Sequence, residues 1–462
     1  MRRTAATVAF RTDRQEGNEG MNDWLHMTAA NLGRGIGKGE IDPVTLCDTY
    51  LSAIDAHSAR DRIFTIVTHD RARAEAKAAK ERADAKLRLG PLDGVPVSWK
   101  DLFDTAGITT SAGSRLLEDR VPEHDAPVLA TATRAGLVCL GKTHMSEFAF
   151  SGLGLNPMTA TPPNINDPEA VPGGSSSGAA ASVAHGLAAC GIGSDTGGSV
   201  RIPSAWNDLT GLKTTSGRIP LDGVVPLCEK FDTVGPLSRS VEDCALVLAA
   251  LEGTRPADLK GASLKGARFA ALQTVVMDDV REGPAKAYAD AVQRLKDAGA
   301  TVEPIESPEI AEAMPMSGVL FTAEAYGIWH DTIEAAPDRM FKPILERFRG
   351  GRDVTAPTYV AAWRRLEQLR RDWHARVAGY DAVILPSAPN LPPNAERLMT
   401  DDEFYVTENI LTLRNTRVAN LMGLASMSLP TGTPSCGLML CGKPFGEEHL
   451  LRVASAVEKA LA

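Results

Sequence analysis

Short apolar runs cut off by proline or glycine, set between longer helical stretches, constrain this chain more than any other feature. Ala382-Val383-Ile384-Leu385 is stopped by Pro386. Val95-Pro96-Val97-Ser98-Trp99 follows the turn Gly90-Pro91-Leu92-Asp93-Gly94, and Ala188 to Gly193 and Leu438-Met439-Leu440 have the same form. Such runs suit strands buried inside a sheet. Between them, residues 267–305 read as strand, helix, strand, with Tyr288, Ala291, Val292 and Leu295 on one helix face and Gly299 at its end. Residues 126–140 read as helix then strand. A long helix near 357–378 carries Trp363, Leu366, Leu369, Trp373 and Val377, and a last helix starts near Glu447. Residues 27–86 read as helical, from the spacing of Leu46, Tyr50, Leu51 and Ile54 and a charged, alanine-rich stretch at 71–86. Strands alternate with helices, so the expected class is α/β with a largely buried sheet.

The net charge of −9 argues against non-specific nucleic-acid binding, which needs a basic surface. No run of 18 apolar residues occurs, so no membrane span is expected. The seven cysteines are scattered, mostly in apolar runs such as Leu137-Val138-Cys139-Leu140, and form no CxxC pair. They read as buried thiols of a cytoplasmic protein, with neither a metal site nor a disulfide framework. The start, Met1-Arg2-Arg3, is basic but lacks the apolar core of a secretory signal. Residues 1–20 read as a disordered extension, with Met21 as the functional start.

Two clusters of small residues carry the chemistry. They are Gly173-Gly174-Ser175-Ser176-Ser177-Gly178 and Gly193-Ser194-Asp195-Thr196-Gly197-Gly198-Ser199-Val200-Arg201. Each follows an extended segment and precedes a helix. Paired glycines permit unusual backbone geometry and close approach of a substrate. A serine after such a turn sits among free backbone N–H groups able to hold an oxyanion. Glycine content alone also fits a polar loop or a phosphate-binding turn.

A nucleophilic serine needs a base. His144 and His185 lie nearest the clusters in sequence, but neither stands in a distinctive motif, and a hydrogen-bonded histidine is the simpler reading. Lys100 ends an apolar strand and is followed by Asp101. Burial at a strand end would lower its pKa and make the neutral amine a base, but on position alone a solvated surface charge is the leading reading.

Taken together, Gly90-Pro91-Leu92-Asp93-Gly94-Val95-Pro96 before Lys100-Asp101 and the two serine clusters resemble the amidase signature family. The order and spacing agree: Ser175 lies 75 residues after Lys100, and Ser199 lies 24 after Ser175. Further matching segments include Gly211-Leu212-Lys213, Phe231-Asp232-Thr233-Val234-Gly235-Pro236 and Gly437-Leu438-Met439-Leu440. The resemblance implies an amidase signature domain over 21–462, with about eleven strands in a single large mixed sheet surrounded by helices. It implies Ser199 as nucleophile, and Ser175, after a cis peptide bond, passing protons to Lys100. Backbone N–H groups of Thr196, Gly197, Gly198 and Ser199 would form the oxyanion hole, with Ser176, Asp195 and Arg201 bracing the site. Neither metal nor cofactor is required. The implied substrate is a small amide, with carbamates and ureas open to the same chemistry. Since family members are often dimers, a homodimer fits the resemblance.

Residues 136–143, Gly-Leu-Val-Cys-Leu-Gly-Lys-Thr, formally match the nucleotide pattern GxxxxGK[ST], but their apolar middle belongs in a sheet. His144, Ile202, Thr214 and Asn207-Asp208 depart from common family forms, as do Ser216-Gly217-Arg218-Ile219-Pro220 and Glu229-Lys230-Phe231-Asp232. These departures favour a stand-alone hydrolase over the glutamine-hydrolysing component of a tRNA-dependent amidotransferase. Specificity is expected from 144–170, 315–345 and 400–415. Met145, Phe148, Phe321, Tyr326, Trp329 and Phe404 are candidate pocket walls there, although aromatic residues more often serve as core.

Overall fold

A computed structural model describes residues 23–462. The proposed extension over 1–20 and Met21 therefore lie outside the described residues. One sheet of eleven strands runs through the molecule, with helices on both sides. In chain order the strands are β1 Phe64–Val67, β2 Pro96–Lys100, β3 Val138–Thr143, β4 Cys190–Ser194, β5 Thr210–Lys213 and β6 Val234–Ser238. They continue with β7 Arg268–Leu272, β8 Thr301–Ile305, β9 Ala382–Pro386, β10 Ser426–Pro430 and β11 Gly437–Cys441. Their spatial order is β1-β3-β2-β4-β6-β5-β10-β11-β9-β7-β8.

The sheet is mixed, as the resemblance implied. β2 runs parallel to β3 and β4, and β7 runs parallel to β8 and β9. The central β4-β6-β5-β10-β11-β9 pairings are antiparallel. Every residue of β2, β3, β4, β5, β6 and β9 is buried. This explains their lack of polar alternation: both faces are covered by helices. β3 includes the GK[ST] segment, which is therefore a strand of the sheet and not a phosphate loop.

The helical reading of 27–86 needs one correction. Helices Ala29–Lys38, Pro43–Ala56, Arg60–Ile63 and His69–Asp84 are interrupted by β1, which pairs antiparallel with β3 at the sheet edge. Phe64-Thr65-Ile66-Val67 is a good strand sequence, but four residues between helices do not break a helical pattern visibly. β5, β6 and β10 also escaped sequence reading, because Gly211, Pro236 and Pro430 interrupt the apolar signal. Helix Met316–Ala335 packs on helices Lys342–Arg349 and Ala356–Val377, forming a helical wall beside the crevice described below. All seven cysteines are free and buried. Among the described residues, no helix is long and apolar enough to cross a membrane.

Candidate active site

The parallel pairing of β2 with β4 sets up the site. Val97, Ser98 and Trp99 pair with Cys190, Gly191 and Ile192, so both strands finish at the same edge. Lys100 ends β2, and Ser194 ends β4. The Lys100 ammonium donates to Ser194 Oγ at 2.8 Å and to Ser175 Oγ at 2.7 Å. The side chain is fully buried and meets no carboxylate of the described residues within ion-pair distance. Burial pushes its pKa down to about 7, partly opposed by the negative charges of Asp195 and Asp232. The surface-charge reading of Lys100 is thus excluded.

Ser175 follows a cis peptide bond from Gly174, as the resemblance implied. It lies just before helix Ser177–Ala184, which packs against β2, β3, β4 and β6. The next residue, Ser176, ties this segment to the second cluster. Its N–H donates to the Ser199 carbonyl at 3.2 Å, and its hydroxyl donates to the Ser194 carbonyl at 3.2 Å. The Ser194 N–H donates back to Ser176 Oγ at 3.3 Å.

The turn holding Ser199 is braced from behind by a buried ion pair. Arg201 donates to both carboxylate oxygens of Asp195, through Nη2 at 2.8 Å and Nε at 3.0 Å. Asp195 also accepts from the N–H groups of Gly198 and Val200 and from the Asn420 amide. Despite burial, the adjacent guanidinium and these donors hold its carboxyl well below the usual range. Arg201 further donates to the Thr416 carbonyl and to Asn420 Oδ1. In turn, the Thr416 hydroxyl donates to the Gly197 carbonyl at 2.7 Å. Gly198 has φ of 140°, and a Cβ there would stand 2.2 Å from Thr416 Oγ1. Only glycine fits this position.

The N–H groups of Thr196, Gly197 and Ser199 make no hydrogen bond with the described residues. Gly198, expected beside them as an oxyanion donor, instead gives its N–H to Asp195 at 2.9 Å. The carboxylate that shapes the turn thus takes one of the four expected donors. Among the described residues Ser199 Oγ has no hydrogen-bond partner either, and Ser199 lines a narrow crevice together with Phe150, Leu227, Phe321, Leu413 and Arg417. The crevice opens into a cavity of about 450 Å³ that shares Phe150, Phe321, Arg347 and Arg417 with it.

Kinship follows from the whole sequence as well as from this geometry. The sequence matches the amidase family model over residues 45–451. The chain belongs to the amidase family. As a member, it is an enzyme acting on carbon–nitrogen bonds. It is 34% identical to the 2-amino-5-chloromuconic acid deaminase of Comamonas testosteroni, covering 94% of this chain and 96% of that protein. It is 32% identical to a chain of the glutamyl-tRNA(Gln) amidotransferase of Roseiflexus castenholzii, covering 95% of this chain and 96% of that one. A solved amidase structure superposes with a TM-score of 0.84 at 28% identity, covering 94% of this chain and all of the other.

Several further residues of this amidase escaped sequence reading. Ser194 was visible only as part of a glycine-rich run. Thr416, Asn420 and the two cavity arginines lie more than 140 residues from the serine clusters and carry no local motif. The three expected specificity segments all supply walls, through Phe150, Phe321 and Tyr405 among others. Of the six named pocket candidates, only Phe321 lines the cavity or crevice. Met145 and Phe148 are core, Trp329 donates to the Pro226 carbonyl, Tyr326 meets Glu334, and Phe404 lies under Arg397. His144 contacts Thr159, and His185 packs edge-on against His57, so neither serves Ser199 or Ser175.

Proposed function

We propose that this protein hydrolyses a small amide through an acyl-enzyme on Ser199, with Lys100 as the base acting through Ser175. The observation that carries this reading is the buried Lys100 amine at 2.7 Å from Ser175 Oγ, with no carboxylate of the described residues within ion-pair distance. A neutral amine has one lone pair and two hydrogens. It can accept the Ser175 proton while still donating to Ser194 Oγ.

In the reaction, the Ser199 hydroxyl turns about its χ1 from the crevice toward Ser175 and gives up its proton along the serine–lysine chain. Side-chain hydroxyls reorient readily, and catalytic hydrogen bonds often tighten only when substrate binds. Ser199 Oγ attacks the amide carbonyl. The oxyanion then meets the unoccupied N–H groups of Thr196, Gly197 and Ser199, each such donor being worth about 3 kcal/mol in a transition state. The proton returns from Lys100 through Ser175 to the leaving nitrogen as the C–N bond breaks. Water attacks the ester by the same relay, releasing the carboxylate. Ser176, Asp195 and Arg201 keep the two serine segments in register.

The test is trapping. Incubation with amides in the presence of hydroxylamine should give hydroxamate, and mass spectrometry of quenched enzyme should place the acyl group on the peptide containing Ser199. Turnover without any adduct on that peptide, or an unimpaired Ser199→Ala enzyme, would overturn the reading.

A further inference from the structure

Two arginines line the same crevice as Ser199, and neither meets a carboxylate of the described residues. Arg347 lies on helix Lys342–Arg349 and Arg417 begins helix Arg417–Leu421, yet both line the crevice and the larger cavity. Arg347 donates to the Phe150 carbonyl at 2.8 Å and lies 4.4 Å over that ring. Arg417 makes no hydrogen bond or ion pair with any described residue, and its Nε is buried without a partner. Its Cγ lies 4.0 Å from where a Cβ on Gly197 would be, so this cation sits against the turn that carries Ser199.

Other enclosed arginines of the chain fill their donors in one of two ways. Arg201 has Asp195, and Arg218 has Glu252, Glu447 and Glu448, whereas Arg239 and Arg370 donate to backbone carbonyls. Arg417 has neither kind of partner among the described residues. The acids lining the larger cavity are Glu346, which pairs with Arg349, and Asp402, which pairs with Lys342. No acid lines the crevice itself. Burial pushes Arg347 down to about 10 and Arg417 to about 9, and the charge of Arg347 adds to the effect on Arg417. Two enclosed like charges are costly unless an anion joins them.

We infer that the substrate is an amide acid, whose carboxylate is held by Arg347 and Arg417 while its amide carbonyl faces Ser199. The guanidinium fork matches carboxylate geometry, and the donors are already in place without a competing protein acid. The same argument disfavours free glutamine. Its α-ammonium would enter a crevice with two cations and no acid to receive it. This inference rests on Ser199-dependent amide hydrolysis.

The experiment compares matched pairs: succinamate with butyramide, glutaramate with pentanamide, and 4-carbamoylbenzoate with benzamide, with glutamine as a further arm. At least one amide acid should exceed its neutral partner in kcat/KM by about 10- to 100-fold, mostly through KM, as expected for charged hydrogen bonds in a desolvated site. Arg417→Gln and Arg347→Gln should each reduce the acid-to-neutral ratio about tenfold or more, and the lysine variants should recover part of it. Because the readout is a ratio within one preparation, a partly unfolded variant does not distort it. Glutarate should also inhibit neutral-amide hydrolysis competitively in the unaltered enzyme. Neutral amides or glutamine preferred over every amide acid, or no inhibition by glutarate, overturns the inference while leaving amide hydrolysis intact. Absence of hydroxamate from every amide would instead remove the underlying reading, and the inference with it.

Discussion

The charge state of Lys100 can be tested through its neighbours. An ordinary lysine near 10.5 falls here to about 7. A drop of that size corresponds to roughly 5 kcal/mol favouring the neutral amine. At pH 8 roughly 90% of Lys100 is then neutral, against well under 1% of a solvated lysine. We expect kcat/KM to rise about tenfold per pH unit below the midpoint near 7 and to level off above it. Asp232, whose negative charge favours the ammonium, supplies the perturbation. It accepts from the Thr196 hydroxyl on one oxygen and from the N–H groups of Leu227 and Cys228 on the other; Asp232→Asn keeps an acceptor oxygen for the two N–H groups, and the Thr196 hydroxyl can accept from the new amide NH2. Removing its charge should move the midpoint about 0.5–1 pH unit toward acid, whatever happens to the plateau. The stability sign is also fixed. Between pH about 7 and 10.5 the unfolded chain carries a proton on this lysine that the folded chain lacks. This lysine's contribution to folding stability should therefore rise with pH across that window, as should that of Lys213, which burial also pushes down to about 7, and Lys100→Met should reduce the slope without abolishing it. The assays are pH–rate profiles on a non-titrating amide and urea titrations at several pH values. A midpoint near 10, or one that Asp232→Asn shifts toward alkali, would refute the assignment of Lys100 as a buried neutral base.

Three other outcomes are expected. Ser199→Ala should lose turnover by at least about 10⁴-fold, with Ser175→Ala severely impaired but above it, as read by steady-state kinetics on folded protein. Ser194→Ala removes one of the two hydroxyls meeting Lys100 and should lower kcat about 5- to 30-fold with little effect on KM, as expected for one lost buried hydrogen bond. Arg201→Met leaves Asp195 buried without its cation and should destabilise the fold by about 3–5 kcal/mol in chemical denaturation.

Legibility in the sequence followed how local each signal was. β9 could be read because Ala382-Val383-Ile384-Leu385 states its burial in four consecutive residues and Pro386 ends it. β10 could not, because Ser426-Met427-Ser428-Leu429-Pro430 looks like a half-exposed segment. Its serines are buried all the same: Ser426 donates to the Leu440 carbonyl and Ser428 meets Ser387. Hydrogen bonding within the sheet thus replaces hydrophobicity, and that substitution is invisible before the partners are known. Lys100 and the two serines were legible because each stands in a motif of fixed composition. Ser194, Thr416 and Asn420 were not, since a hydroxyl or amide gains its meaning only from what lies across from it.

On the proposed reading, catalysis and specificity divide along the chain. The register of β2 against β4 sets Lys100 beside Ser194, and Ser176 ties the segment of Ser175 to the carbonyls of Ser194 and Ser199. Displacing Lys100 or Ser194 by an ångström would require moving a buried strand. Arg347 and Arg417 come from two helices beyond the serine clusters, and Arg347 is anchored to its surroundings by one carbonyl and one ring. Such side chains can be exchanged without disturbing the relay. A chain that keeps the relay but replaces both arginines with apolar residues should then retain amide hydrolysis while losing its preference for an anionic substrate. On this inference the identity of the substrate is carried by positions outside the lysine and serine motifs, and those positions come together only in the folded molecule.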